Sequence, residues 1–279
     1  MSLPSALRSA VEASAARGEK WLVALDFDGT LAPLRRARSA AHLPHGRRLM
    51  LQRLGLMPGV RVVIVSGRAL ADLRRRCRIR GAALSGEHGM SLLGFGRAWA
   101  HPATARLHRE SAALSAAASR LTLGMRGVEV EEKRTSVSVH WRKSRSVRRH
   151  PEGLGGALAG LLHAGWRIAS GKCVWELRPD IARGKGDAIA LAQRRMGRGT
   201  RVLFIGDDAT DEEGFRRLGR GAWTVRVGGG ETAARWRVQG PKDVNALLLE
   251  LSAARRQAGL PPAPSLTRPR SSTRRAPHR

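Results

Sequence analysis

Apolar residues fall in short blocks along the first hundred positions. The run WLVAL at 21–25 ends in DFDG, VRVVIV at 60–65 ends in Ser-Gly, and AALS at 82–85 ends in GEHG. Short apolar runs closed by Gly and polar groups predict strands buried on both faces. Between them, 45–57 carries Leu49, Leu51 and Leu54 at helical spacing and stops at Pro58-Gly59, and 70–77 suits a second helix. Residues 1–20 read as a short helix or loose lead-in. Strand, loop and helix in repetition predict a parallel α/β sheet, whose ligand site lies at the carboxyl ends of the strands.

The periodicity then changes. An Ala/Leu-rich helix is predicted over 103–123, followed by two segments, 128–133 and 136–141, that alternate with period two. In that hairpin Val128 and Val130 oppose Glu129, Glu131 and Lys133, while Val137, Val139 and Trp141 oppose Ser138, His140 and Arg142. A helix at 151–163 and strands at 166–170 and 173–177 complete the block. In the last strand Val174 and Glu176 share one face. This is an antiparallel sheet with an apolar side under helices and a polar side open. From 185 the α/β pattern returns: helix 185–195, strand 202–205 ending in GDDATDE, helix to 218, strand 222–227 and helix 244–251. The fold class is therefore α/β, a Rossmann-like parallel core (1–97 and 181–254) carrying an inserted α+β cap (98–180). A Pro-, Ser- and Arg-rich tail, 255–279, is expected to be disordered. Linkers near 95–101 and 179–184 invite a hinge between core and cap.

Composition changes this picture little. The 279 residues suffice for one large domain or two modest ones, and no run of 18 apolar residues is present to span a membrane. The first twenty residues lack the apolar stretch of a secretory signal. Cys77 and Cys173 stand far apart, which points to a reducing, cytoplasmic setting and away from a disulfide framework or thiolate zinc. The net charge of +29 is unusual, and only six of the 51 basic residues are lysine. The arginines are scattered and aromatics are 4%, so a dedicated nucleic-acid module is disfavoured. The field would still attract phosphorylated ligands.

The chemistry sits where apolar runs end. In DFDGT (26–30), Asp26 and Asp28 are two apart, so both carboxylates face one way while Phe27 points inward. Two close carboxylates need a cation, and Mg²⁺ with oxygen ligands fits. The late Glu of an EF-hand is absent. In GDDATDE (206–212), Asp207 closes a strand and Asp211 falls at a helix start. Ser66 and Gly67, ahead of Arg68, can form a phosphate nest. Lys185 in ARGKGD is not a P-loop lysine, because Pro179 and Gly186 occupy the diagnostic positions. It is placed to neutralise phosphate charge.

These elements, in this order, resemble the haloacid dehalogenase superfamily. That resemblance implies Asp26 as the nucleophile of an aspartyl-phosphate, and Asp28 as the acid and then the base. It implies Ser66, Gly67 and Lys185 on the phosphoryl group. It also implies Mg²⁺ held by Asp26, the Asp28 carbonyl and Asp207, with Asp211 in support. SGR at 66–68, GEHG at 86–89, E-x-K at 131–133, H-x-R at 140–142, ELRP at 176–179, GKGDA at 184–188 and GDDATDEEGF at 206–215 together resemble the trehalose-6-phosphate phosphatase family over about 21–251. By that likeness Arg68, Glu131, Lys133, His140 and Glu176 contact the substrate. The expected reaction is Mg²⁺-dependent hydrolysis of a small sugar phosphate, trehalose 6-phosphate, as the last step of trehalose biosynthesis, with a functional link to trehalose-6-phosphate synthase. Sucrose phosphate or a glycosyl-phosphoglycerate as substrate, and a polyanion-binding protein on the same fold, are the alternatives.

Overall fold

The computed structural model describes residues 2–33, 41–181 and 183–258. The chain begins with α1 (Leu3–Ala16), β1 (Lys20–Asp26), α2 (His45–Gly55), β2 (Val60–Val65), α3 (Leu70–Cys77), β3 (Ala83–Gly86), β4 (Ser91–Leu93) and β5 (Trp99–Ala100). It continues with α4 (Thr104–Leu121), β6 (Glu129–Glu132), β7 (Val137–His140), α5 (Pro151–Ala159), β8 (Trp166–Gly171) and β9 (Val174–Pro179). It returns through α6 (Lys185–Met196), β10 (Thr200–Gly206), α7 (Ala209–Leu218), β11 (Trp223–Val227), β12 (Trp236–Val238) and α8 (Pro241–Gln257).

The larger sheet has the order β12-β11-β10-β1-β2-β3-β4-β5. Its strands are parallel except at the β3-β4 and β4-β5 pairings. β1 is the hub: every residue after Lys20 is buried. Trp21, Val23 and Leu25 pack on one face with α1, α2, α3 and α8, and Leu22 and Ala24 on the other with α6 and α7. A strand sandwiched on both sides cannot alternate apolar with polar, which is why WLVAL is continuous. The sequence of β1 thereby fixes the three-layer core.

The smaller sheet, β6-β7-β9-β8, is antiparallel. Val137, Val139 and Leu177 are buried under Leu107, Leu114 and Ala118 of α4 and Leu154 and Leu158 of α5. Cross-strand rows run Glu131–Ser138–Glu176 and Glu129–His140–Val174, so the polar side chains stack on the opposite face.

Of the two readings of the lead-in, the helix is the one observed: Leu3, Leu7 and Val11 are buried against α8, and Ser2 and Pro4 open it. Three features differ from the sequence reading. Trp99 and Ala100, placed in the cap, pair with β4 in the core sheet, inside the expected first linker. Strand β9 runs on through Pro179, where a linker was expected to begin. Finally α8 extends to Gln257, and Arg255 is buried with its Nε donating to the Pro58 carbonyl at 3.1 Å. The rest of the expected disordered tail, 259–279, lies outside the described residues. No described helix is long and apolar enough to cross a membrane.

Candidate active site

Three adjacent strands end side by side. Asp26 closes β1, Asp207 follows β10 and Ser66 follows β2, so the parallel register delivers their side chains to one edge of the sheet. Local backbone chemistry then shapes the acidic loop. Asp208 caps α7 by accepting from the Asp211 N–H at 2.9 Å. Asp211 reaches back to accept from the N–H groups of Asp207 and Asp208, each at 3.0 Å. This reciprocal cap satisfies the helix start and buries Asp211 completely. Gly29, at φ 91°, turns the chain so closely that a Cβ there would overlap the Asp207 carboxylate. Thr30 donates to Asp207 Oδ1 at 2.9 Å.

Lys185 enters from the first turn of α6, 1% exposed. Its Nζ donates to Asp26 Oδ1 at 2.7 Å and Asp211 Oδ1 at 2.8 Å, with Asp208 at 3.4 Å. One ammonium thus faces several carboxylates. Burial, with Asp207 and Asp208 nearby, pushes the Asp26 carboxyl well up despite Lys185. Burial and the charges of Asp211 and Asp208 raise Asp207 to about 7. Asp208 is half-exposed, and Lys185 with the hydrogen bonds from Thr210 and the Asp211 N–H hold its carboxyl well below the usual range. Surplus negative charge is the cause of the upward shifts. Ligand oxygens of Asp26, Asp207 and Asp211 lie within 4.8 Å of one another, and Asp26 Oδ2 is buried with no hydrogen-bond partner in the described structure. A hard divalent cation suits that donor set. Asp211 is already engaged by two N–H groups and Lys185, so Asp26 and Asp207 offer the more open oxygens.

The carboxylate of Asp28 is not in this cluster. It is gripped by Arg68, Nε to Oδ2 and Nη2 to Oδ1, both at 2.7 Å. Arg68 also donates to Asp72 at 2.9 Å and is 4% exposed. The guanidinium expected on the substrate is turned to Asp28 and Asp72, because α3 places Asp72 one turn beyond it. Ser66 is buried, its Oγ accepting from the Arg68 N–H at 3.2 Å. Gly67, between them, is covered by the His88 ring, and a Cβ would overlap it.

In the cap, Lys133 and Glu176 meet. Lys133 Nζ donates to Glu176 Oε1 at 2.8 Å, and Ser138 Oγ to the same oxygen at 3.1 Å. Lys133 and the neighbouring His88 outweigh the effect of burial and hold Glu176 well below the usual carboxylate range. Glu131 and His140 pair with each other at 2.9 Å near the outer strand, where Glu131 is 43% exposed. The five predicted substrate contacts thus divide: Lys133 with Glu176, Glu131 with His140, and Arg68 with Asp28. Sequence reasoning did not single out Thr30, Asp72, Asp208 or His88. Thr30 and Asp208 stood inside the motifs it quoted. Asp72 stood four residues after Arg68, a helical pairing distance. His88 stood in GEHG, with no local signal of what it would touch.

An acidic edge on a parallel sheet, beneath a cap with a charged polar face, makes this an α/β protein with a candidate metal- and phosphate-binding site. A family model for trehalose-phosphatase matches residues 24–242. The chain belongs to the trehalose-phosphatase family. It is 34% identical over 216 residues to a probable trehalose-phosphate phosphatase of Sinorhizobium fredii, covering 75% of this chain and 78% of that one. It is 36% identical over 260 residues to an uncharacterized glycosyl hydrolase of Mycobacterium tuberculosis, covering 84% of this chain and 18% of that protein. The chain therefore spans less than a fifth of that longer relative. Among solved structures, the C-terminal domain of Candida albicans trehalose-6-phosphate phosphatase superposes with TM-score 0.69 at 21% identity, over 89% of this chain and 96% of that one, a likeness of fold.

Proposed function

We propose that the protein hydrolyses trehalose 6-phosphate to trehalose and phosphate, with Asp26 as nucleophile. The observation that carries this is Asp26 itself: buried at the sheet edge, Oδ1 held by Lys185, Oδ2 without a hydrogen-bond partner and beside Asp207. An Asp26 oxygen attacks phosphorus as the bond to the sugar oxygen breaks. Asp28, once it has exchanged a bond from Arg68 for a proton taken from solvent, gives that proton to the leaving alkoxide. Asp28 then takes a proton from water as that water attacks the aspartyl-phosphate and releases phosphate. Lys185 and the Ser66-Gly67 loop hold the phosphoryl oxygens. Mg²⁺ would be held by Asp26 and Asp207 with Asp211 behind them, together with the Asp28 carbonyl, and when bound supplies the charge that offsets repulsion between carboxylate and phosphate.

The cap supplies the choice of substrate. Lys133, Ser138 and Glu176 offer both donors and acceptors, and with Glu131 they lie on one sheet face, which suits a sugar bearing many hydroxyls. The name of the Sinorhizobium relative supports the same substrate. A glycosyltransferase, trehalose-6-phosphate synthase, would supply it. The test is phosphate release from trehalose 6-phosphate, sucrose 6-phosphate, glucose 6-phosphate and p-nitrophenyl phosphate, with Mg²⁺ and with EDTA. Marked preference for the first, abolished by EDTA, is expected. Equal slow turnover of all four would overturn the substrate.

A further inference from the structure

Between the phosphate loop and the cap lies a turn to which the reaction above assigns nothing. Glu87, His88 and Gly89 follow β3 with φ of 56°, 54° and 98°. Two successive non-glycine residues in the left-handed region are rare, and such a conformation persists only when its surroundings hold it. Here the surroundings are the three working parts of the site. The Glu87 N–H donates to the Arg68 carbonyl at 2.9 Å and the His88 N–H to the Ser66 carbonyl at 3.1 Å. The His88 ring lies on Gly67. Gly89 backs so closely on the Gly184 carbonyl, next to Lys185, that a Cβ would overlap it, and its own carbonyl accepts from Arg183 Nε at 2.9 Å. On the cap side, His88 Nε2 stands 3.3 Å from Glu176 Oε2, while Lys133 and Ser138 take the other oxygen.

We infer that His88 is a positioning residue that makes phosphoryl transfer depend on a sugar seated at Glu176. The inference rests on the proposed function and deepens it. Glu176 is 88 residues from His88 in the chain and on a different sheet, so their contact exists only when the cap lies over the core. A sugar hydroxyl that engages Glu176 and Lys133 fixes the carboxylate to which the imidazole is tied. The imidazole in turn fixes Gly67 and, through the His88 N–H, the Ser66 carbonyl. Binding energy gained on the remote sugar is thereby expressed at the reacting phosphorus, the route by which distal contacts raise kcat as well as lower KM. A small phosphoester that does not reach the cap gains nothing from this link. Burial holds the imidazole below its ordinary pKa, and the link between the two parts is the 3.3 Å contact of Nε2 with the carboxylate.

The experiment compares kcat and KM of wild type, His88→Ala and His88→Gln on trehalose 6-phosphate and p-nitrophenyl phosphate, in Mg²⁺. For His88→Ala, kcat on the sugar phosphate should fall by about ten- to a hundredfold, the range for a hydrogen bond to a charged group. Turnover of the small ester should fall by less than about threefold. His88→Gln, which retains a donor, should recover part of the loss. Equal proportional losses on both esters would overturn the inference and leave a structural residue. Should His88→Ala not fold, the double-mutant cycle of His88→Gln with Glu176→Gln decides: strongly non-additive effects on the sugar phosphate support coupling, and additive ones refute it. A wild type that turns over all four esters alike is a different result, since it removes the proposed substrate itself.

Discussion

The protein buries two lysines, one in each sheet's territory, and their surroundings differ in charge. Lys185 in the core stands among Asp26, Asp208 and Asp211, with Asp207 alongside, so four carboxylates share one ammonium. Lys133 in the cap bonds to Glu176, whose carboxylate also meets Ser138 and His88, and its charge reaches Glu87. The first cluster is in deficit of positive charge and calls for a cation and a phosphate-handling role. The second is balanced and has donors and acceptors to offer to neutral hydroxyls. On the proposed function, the same residue type in two fields separates the chemistry of the reaction from the choice of substrate.

The largest effect should come from the core. Asp26→Asn is expected to lower kcat by roughly 10⁴-fold or more, the scale for removal of an enzyme nucleophile. In EDTA the same change should raise the melting temperature, because it removes one of four crowded carboxylates. Activity assays and thermal scans on one preparation check both. A variant that is inactive and also destabilised would contradict the charge surplus.

Replacing each lysine by Met tests the contrast directly. Either change leaves buried carboxylate without its partner, at a cost of about 3–5 kcal/mol. Added Mg²⁺ should restore much of the lost melting temperature to Lys185→Met, since a cation can take the ammonium's place. It should do nothing for Lys133→Met. Equal recovery, or none in either, would show that the two clusters do not differ as described.

The sequence showed the first cluster more clearly than the second. WLVALD and VLFIGDD are continuous apolar runs closed by acid, and a parallel strand buried on both faces has to read that way. The polar cap face was equally legible, because period two sorts Glu131, Lys133, Ser138 and Glu176 from Val130, Val137 and Val139. What stayed hidden depends on distance along the chain. Lys185 meets Asp26 across 159 positions, and only likeness to a family placed it there. Arg68 was assigned to substrate by family likeness, and nothing local says that Asp28, 40 positions earlier, takes two of its three nitrogens. His88 meets the cap only through docking of one sheet on the other. Strand β4 has three residues and β5 two, too short for any alternation to register.

A pH series refines the core half of the contrast. Asp207 in the folded protein titrates near 7, against 3.8 for the ordinary group. Between those values the native state holds a proton that the unfolded chain has lost, so without metal stability falls as pH rises, by at most about 4 kcal/mol from this group. Mg²⁺ must displace that proton, so its binding strengthens over the same interval. The gap in melting temperature between Mg²⁺ and EDTA should therefore widen from pH 5 to pH 8. A gap that does not change with pH would mean that Asp207 is already ionised throughout and that the surplus is screened.

The smallest effect lies on α3, beside Arg68. Burial alone would raise Asp72, but hydrogen bonds from Arg76 at 2.7 Å and Arg68 at 2.9 Å outweigh it and lower the carboxyl to about 2. A folded pKa below the unfolded 3.8 gives stability that is present above pH 4 and lost as pH falls through 2. For a side chain 23% exposed this amounts to about 1–2 kcal/mol, or several degrees of melting temperature in a protein of this size. Asp72→Asn should show that loss at pH 7 and match wild type near pH 2. It should lower activity severalfold without altering the preference among phosphoesters, because Arg68 keeps its two bonds to Asp28 but loses the anchor that aims them. A change in substrate preference would instead place Arg68 on the sugar, and would move it from the core half of the comparison to the cap half.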